Sequence, residues 1–239
     1  MVPLIQRALP SVLALETAAT IKIVREPSIG LVIPDVLVGV VNRRPSILAR
    51  SHFTTIEGSV LAVLERAGLM ETRAIQRALF LPDVTCFRVL EKLCRIGAIE
   101  RVGEAEWKLN QSAQTGGVEL IAFEAKLRLW KRALDQAVSY LTFVDRAYVV
   151  LDGNQVRISA DVLSAFVDQG VGLWLQHGYA ATEVVPARGS APHFSADRVR
   201  AIEKVLRARI WRRATTNGSV APPLESSQPS SLVGQLSVV

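Results

Sequence analysis

Apolar residues recur along this chain with two different periods, and the switches between them lay out its elements. Residues 4–18 carry apolar positions at helical spacing and predict a helix bent at Pro10. TIKIVR at 20–25 alternates and predicts a strand, closed by the turn residues of EPSIG. VIPDVLVGVV at 32–41 predicts a second strand, with Pro34 confining its start to an edge or a strand end. NRRPS at 42–46 then breaks the pattern. Helical periodicity follows at 55–67, stopped by Gly68, at 71–80, and at 84–96, stopped by Gly97. Two short alternating runs, 98–102 and 106–109, flank Gly103, and NQSAQTGG at 110–117 is a polar linker.

Strand character returns at 118–126 (VELIAFEAK), followed by a helix at 128–143 with apolar Trp130, Leu134, Ala137, Val138 and Leu141. A strand at 146–151, a helix at 160–168, strands near 171–176 and 181–185, and a basic helix at about 195–213 complete the pattern. From Thr215 onward Ser, Pro and Gly dominate, and that tail is expected to be disordered. Three helices followed by a β-hairpin is the layout of a winged helix. The expected organisation is therefore a first part at 1–50, an inserted winged-helix module at 51–112, a second part at 113–213 and a tail at 214–239.

Two strands carry charges where a buried strand should have none. In 118–126, Val118, Leu120, Ala122, Glu124 and Lys126 share one face. In 33–41, Ile33, Asp35, Leu37 and Val41 share one face, and Asp35 is its sole charge. Burying such groups costs several kcal/mol unless they are paired or coordinated. If the two strands pair antiparallel, Asp35 at the start of one meets Glu124 and Lys126 at the end of the other, while the 43–117 segment leaves from the opposite end. Two carboxylates and a lysine suit phosphodiester hydrolysis. The acids can hold Mg²⁺, which keeps several waters, and the lysine can orient a nucleophile or stabilise the transition state.

IPD followed by a strand bearing EAK resembles the signature of the PD-(D/E)XK nuclease superfamily. DQAVSY at 135–140 places Gln136 and Tyr140 four apart on one helical face, similar to the QxxxY element of the RecB-like branch. The resemblance implies an α/β fold with a restriction-endonuclease-like mixed sheet flanked by helices, here interrupted by the winged helix-turn-helix. It further implies Asp35 and Glu124 as ligands of Mg²⁺ or Mn²⁺ and Lys126 as catalytic. Gln136 and Tyr140 would support the site or contact DNA, and Glu16 would be an additional acid. The spacing from Asp35 to Glu124 exceeds the usual pattern, and the insertion accounts for it.

Charge adds a partner. The net charge is +6, but 51–110 holds eight basic and eight acidic residues, whereas 196–213 holds seven basic and two acidic. A nucleic-acid partner fits that excess; a solvated basic helix is the alternative. Within the module, Arg88, Lys92 and Arg95 on the third helix and Arg101 and Lys108 in the wing are the candidate DNA contacts. Phe53, Phe87 and Trp107 read as core, and His52 as a solvated loop residue. Cys86 and Cys94, eight apart on one helix, read as helix packing, and three scattered histidines give no zinc pattern. The longest apolar run contains Pro34 and Asp35 and is too short to span a bilayer. The expected protein is a cytoplasmic DNA-binding deoxyribonuclease without a membrane segment, its oligomeric state left open. The alternatives are a non-catalytic DNA-binding regulator with a degenerate nuclease fold and a scaffold whose winged helix binds protein.

Overall fold

The computed structural model describes residues 20–178, 180–190 and 194–209. Its centre is a six-stranded mixed sheet in the order β1-β2-β6-β7-β8-β9. These strands are β1 (Thr20–Arg25), β2 (Val36–Val41), β6 (Val118–Lys126), β7 (Arg146–Asp152), β8 (Gly172–His177) and β9 (Ala180–Val185). β1 pairs antiparallel with β2 and β2 with β6; β6, β7 and β8 are parallel, and β9 returns antiparallel. Helices α5 (Trp130–Tyr140) and α6 (Ala160–Gln169) make the two crossovers, as parallel pairing requires. Helix α7 (Ala196–Arg207) lies against β1, β2 and β6. The fold is thus mixed α/β, a six-stranded sheet flanked by helices.

The sheet's two faces separate as strand alternation demands. One buries Val36, Val38, Val40, Ile121, Phe123, Tyr148, Val150 and Trp174, with Phe123, Tyr148 and Trp174 stacked or tilted at 5.2–5.4 Å. The other buries Leu37, Val41, Leu120, Ala122, Val149 and Leu151 against α5 and α7. Gly39 is required on this second face: a Cβ there would stand 2.1 Å from Val205 of α7.

Between β2 and β6 lie α1 (Ser46–Arg50), α2 (Thr55–Ala67), β3 (Leu69–Glu71), α3 (Thr72–Leu79), α4 (Asp83–Arg95), β4 (Ile99–Val102) and β5 (Glu106–Leu109). The three strands form a small antiparallel sheet, β3-β5-β4. The segment leaves and returns at one point, where Asn42 and Arg43 N–H both donate to Gly117 O at 3.0 Å. It is not a bead on a linker. α2 packs along α7, and Leu61, Leu64, Leu90, Leu93 and Trp107 belong to the same continuous core as the sheet's helix-bearing face.

Several expectations shift. β2 starts at Val36, not at 32, because Pro34 has no N–H for a ladder and Ile29 and Val32 pair with each other instead. A one-turn helix, α1, occupies part of the expected break, and the three-residue β3 was not anticipated. The basic helix buries one face, with Arg198 only 2% exposed, and leaves Lys204 and Arg207 exposed on the other. Phe87, expected in the core, is 59% exposed, whereas Phe53 and Trp107 are buried. The helix expected at 4–18, Glu16, Arg212, Arg213 and the tail lie outside the described residues.

Candidate functional site

The β2–β6 ladder ends at the pair Val36–Phe123, while β6 runs on to Lys126. The Ala125 N–H therefore has no partner on β2, and the Asp35 carboxylate supplies one: Ala125 N–H donates to Asp35 Oδ2 at 2.8 Å. This bond sets Asp35 against the backbone between Glu124 and Lys126. Glu26 N–H donates to Asp35 O at 3.0 Å and closes the 26–35 loop at its base.

Glu124 is 1% exposed, and both of its carboxylate oxygens are engaged. Lys126 Nζ lies 2.6 Å from Oε1. The Tyr140 hydroxyl donates to Oε2 at 2.6 Å and lies 3.4 Å from Ile33 O. The pairing repays the desolvation of a buried acid, which unpaired would cost several kcal/mol. Burial first, then the hydrogen bond to Glu124 and the charges of Glu124 and Asp35, push the Tyr140 hydroxyl far above its ordinary value. Tyr140 is thus a proton donor to Glu124 throughout the physiological range. That Tyr140 feels both acids reflects how closely the three groups converge.

Gln136, one turn before Tyr140 on α5, keeps its Oε1 buried and without a hydrogen-bond partner. Such an orphan calls for an explanation. All five residues singled out for chemistry, Asp35, Glu124, Lys126, Gln136 and Tyr140, sit on β2's leading loop, β6 and α5 at one end of the sheet. No set of three or more His, Cys, Asp or Glu side chains able to hold a metal occurs among the described residues. Two carboxylates are the acidic donors, Asp35 with its second oxygen uncommitted among the described hydrogen bonds.

The five module cations are arranged differently. Arg88, Lys92 and Arg95 are exposed on α4, but Lys92 pairs with the buried Glu57 at 2.5 Å, tying α4 to the capped start of α2. Lys108 lies opposite Glu100 at 3.5 Å, and Arg101 lies over the Trp107 ring at 5.7 Å. The β4–β5 register pairs Glu100 with Lys108 and Arg101 with Trp107, so the two hairpin cations leave on opposite faces of the hairpin. His52 is exposed as expected, though its Nδ1 meets Glu203 Oε1 at 2.6 Å.

Two features escaped the sequence reading. A cleft of about 800 Å³ opens between the end of β1 and α7, lined by Arg25, Glu26, His52, Arg200, Lys204 and Arg207 among others. Its cations come from two segments, β1 with Arg25 and α7 with Arg200, Lys204 and Arg207, and only their summed charge was visible in sequence. The loops flanking the site also expose Ile33, Leu127 and Leu129; the alternation LRLWKR at 127–132 is the signal that could have shown this.

No family model and no characterised protein matches this chain. Among solved structures it is similar in part to a protein of unknown function from Silicibacter pomeroyi, with 21% identity over 37% of this chain and 55% of that one, and a TM-score of 0.27. The chain thus spans about half of that protein's length, and the likeness carries no argument. No helix among the described residues is long and apolar enough to cross a membrane.

Proposed function

We propose that this protein is a metal-dependent deoxyribonuclease of the PD-(D/E)XK type, with the 51–112 segment a winged helix-turn-helix set into a restriction-endonuclease-like sheet. The observation that carries this reading is the meeting of Asp35, Glu124, Lys126 and Tyr140 at one end of the β2–β6 pair. The donors fit a hard cation. Mg²⁺ is held through one or two carboxylates and keeps its waters, so Asp35, with one oxygen uncommitted, and Glu124, whose Oε1 would be freed as Lys126 turns away, would hold it without soft ligands. When bound, Mg²⁺ or Mn²⁺ would lower the pKa of a water and neutralise phosphate charge. The chain's own groups do the rest. Tyr140 holds Glu124 in place through a hydroxyl that stays protonated. Lys126, with its side chain 30% exposed, is the one cation of the site that reaches solvent, where it can turn from Glu124 toward a phosphate oxygen. Arg25, Arg200 and Lys204 in the neighbouring cleft offer charge for the DNA backbone.

The test is cleavage. The full chain, incubated with plasmid or single-stranded DNA and Mg²⁺ or Mn²⁺, should cut, and Lys126→Ala should cut at least about 100-fold more slowly. Equal, metal-independent behaviour of the two proteins would sink the proposal.

A second reading is favoured by a separate observation. Phe80, Val84 and Phe87 are 94%, 62% and 59% exposed around the start of α4, and Phe80 holds a positive φ of 52°. An apolar face of this kind on a module of zero net charge fits docking to protein more readily than to phosphate. In that reading the module recruits a partner, and the sheet is a scaffold or a non-cutting DNA binder.

A further inference from the structure

Four aliphatic side chains stand in solvent on the two segments that deliver the site's charges. Leu31 is 103% exposed and Ile33 is 55% exposed on the loop leading into Asp35. Leu127 and Leu129, each 61% exposed, follow Lys126 directly. The two segments meet at the site: Ile33 O lies 3.4 Å from the Tyr140 hydroxyl that binds Glu124, and Leu127 is the next residue after Lys126.

These side chains are presented on fixed backbone. Ile29 and Val32 exchange both backbone hydrogen bonds, at 2.9 and 3.0 Å, so Gly30 and Leu31 form a two-residue turn. Gly30 has φ of 57°, the left-handed conformation that such a turn needs. Ile29 is fully buried and anchors the loop in the core. On the other segment, Arg128 Nε donates to Gln155 Oε1 at 2.7 Å.

The second segment is also basic. From Lys126 to Leu134 the sequence KLRLWKRAL carries four cations and no acid. Arg128, Lys131 and Arg132 are all exposed, and Lys131 lies 5.5 Å from the Trp130 ring centroid. Alternating aliphatic and cationic side chains match a polymer with apolar faces and a phosphate backbone. Stacked duplex DNA hides its base faces, whereas an unpaired strand offers them, and Leu and Ile are among the side chains that insert against unstacked bases.

We propose that the Ile33 and Leu127–Leu129 segments form an apolar lip that receives unpaired nucleobases, so that the substrate class is single-stranded nucleic acid or the frayed end of a duplex. This rests on the nuclease reading for the chemistry but not for the binding. The base faces lie on Ile33, Leu127 and Leu129, and the phosphates face Arg128, Lys131 and Arg132.

The test measures binding apart from cleavage. Fluorescence anisotropy of the full chain, with Ca²⁺ in place of Mg²⁺, is recorded for a labelled single strand, a blunt duplex and an abasic strand of equal length. The single strand should bind about tenfold tighter than either of the others, a difference of about 1.4 kcal/mol. The double variant L127S/L129S should lose that preference while keeping the salt dependence, which reports phosphate contacts alone. Ile33→Ser offers an independent variant should the double one fold poorly. Equal affinity for normal and abasic strands overturns the lip, and so does an unchanged preference in both variants. A lip that instead joins two copies of the chain, seen as a dimer by sedimentation that either variant dissociates, overturns it as well. Base-dependent binding without Mg²⁺-dependent cutting leaves the lip standing and removes the nuclease reading; cutting without base preference does the reverse.

Discussion

Two buried charges sit near opposite ends of β6, and the difference between them separates structure from function. Arg198, 2% exposed, donates to Phe143 O at 3.2 Å, Val118 O at 3.1 Å and Asp145 Oδ2 at 3.0 Å. Asp145 Oδ2 also accepts from Leu120 N–H at 2.7 Å. The partners of Arg198 are backbone carbonyls and an acid already committed to backbone, so the cluster joins α7 to the starts of β6 and β7, while Arg198 Nε is buried without a partner. Glu124 is as deeply buried, but one partner, Lys126, reaches solvent, and Asp35 and Gln136 beside it keep oxygen atoms uncommitted. Both ends bear the cost of buried charge. One uses it to fasten elements, the other keeps a cation at solvent and one Asp35 carboxylate oxygen uncommitted.

Breaking the Arg198 end should have the largest effect. Arg198→Met strands Asp145 and two carbonyls, and should lower unfolding free energy by about 3–5 kcal/mol in urea titrations, with little change in nucleic-acid affinity per folded molecule. Lys126→Ala should show the converse pattern. The at least 100-fold loss of cleavage should come with an unfolding midpoint within a few degrees of the parent, because half of the Glu124 pairing, the Tyr140 hydroxyl, survives. A loss of stability as great as that of Arg198→Met would make the two ends equivalent and remove the distinction.

Tyr140→Phe probes the boundary between the roles. It removes one of two partners from a buried carboxylate and should cost about 1–3 kcal/mol. Its pH signature is specific. The folded-state pKa of Tyr140 lies above the ordinary 10.0, so its contribution is fully present below pH 10 and is lost as pH rises beyond it, where the unfolded tyrosine ionises and the folded one does not. The alkaline decline in stability should therefore be shallower in Tyr140→Phe than in the parent. At the small end, Lys108→Ala breaks an exposed pair at 3.5 Å and should change stability by less than about 0.5 kcal/mol. A large effect there would mean that the hairpin depends on that pair.

How far the sequence disclosed this arrangement depended on range. The faces of β2 and β6 follow from strand alternation, and the convergence of Asp35 with Glu124 followed once antiparallel pairing was assumed; the register bears it out. Tyr140's position one turn beyond Gln136 is likewise a local consequence of helix geometry. What failed was long-range. That Arg198 would be buried, and that α2 would pack along α7, depend on tertiary contacts with no periodic trace. The exposure of Phe87 contradicts composition alone, since an aromatic at helical spacing normally faces the core. Very short elements, α1 and β3, are set by their neighbours rather than by pattern.

The pinch at Asn42, Arg43 and Gly117 has a kinetic consequence. β2 and β6 cannot align until the whole of 43–116 has been spanned, and closing so long a loop carries an entropic cost before any pairing compensates it. Helices α2 to α4 and their small sheet pack on one another within that loop, and α2 packs as well along α7, far downstream in sequence. Gly117 makes the approach feasible, since a Cβ there would meet Arg43 O at 2.6 Å. Asp35 and Glu124 therefore meet only where both ends of that loop are brought together at the pinch.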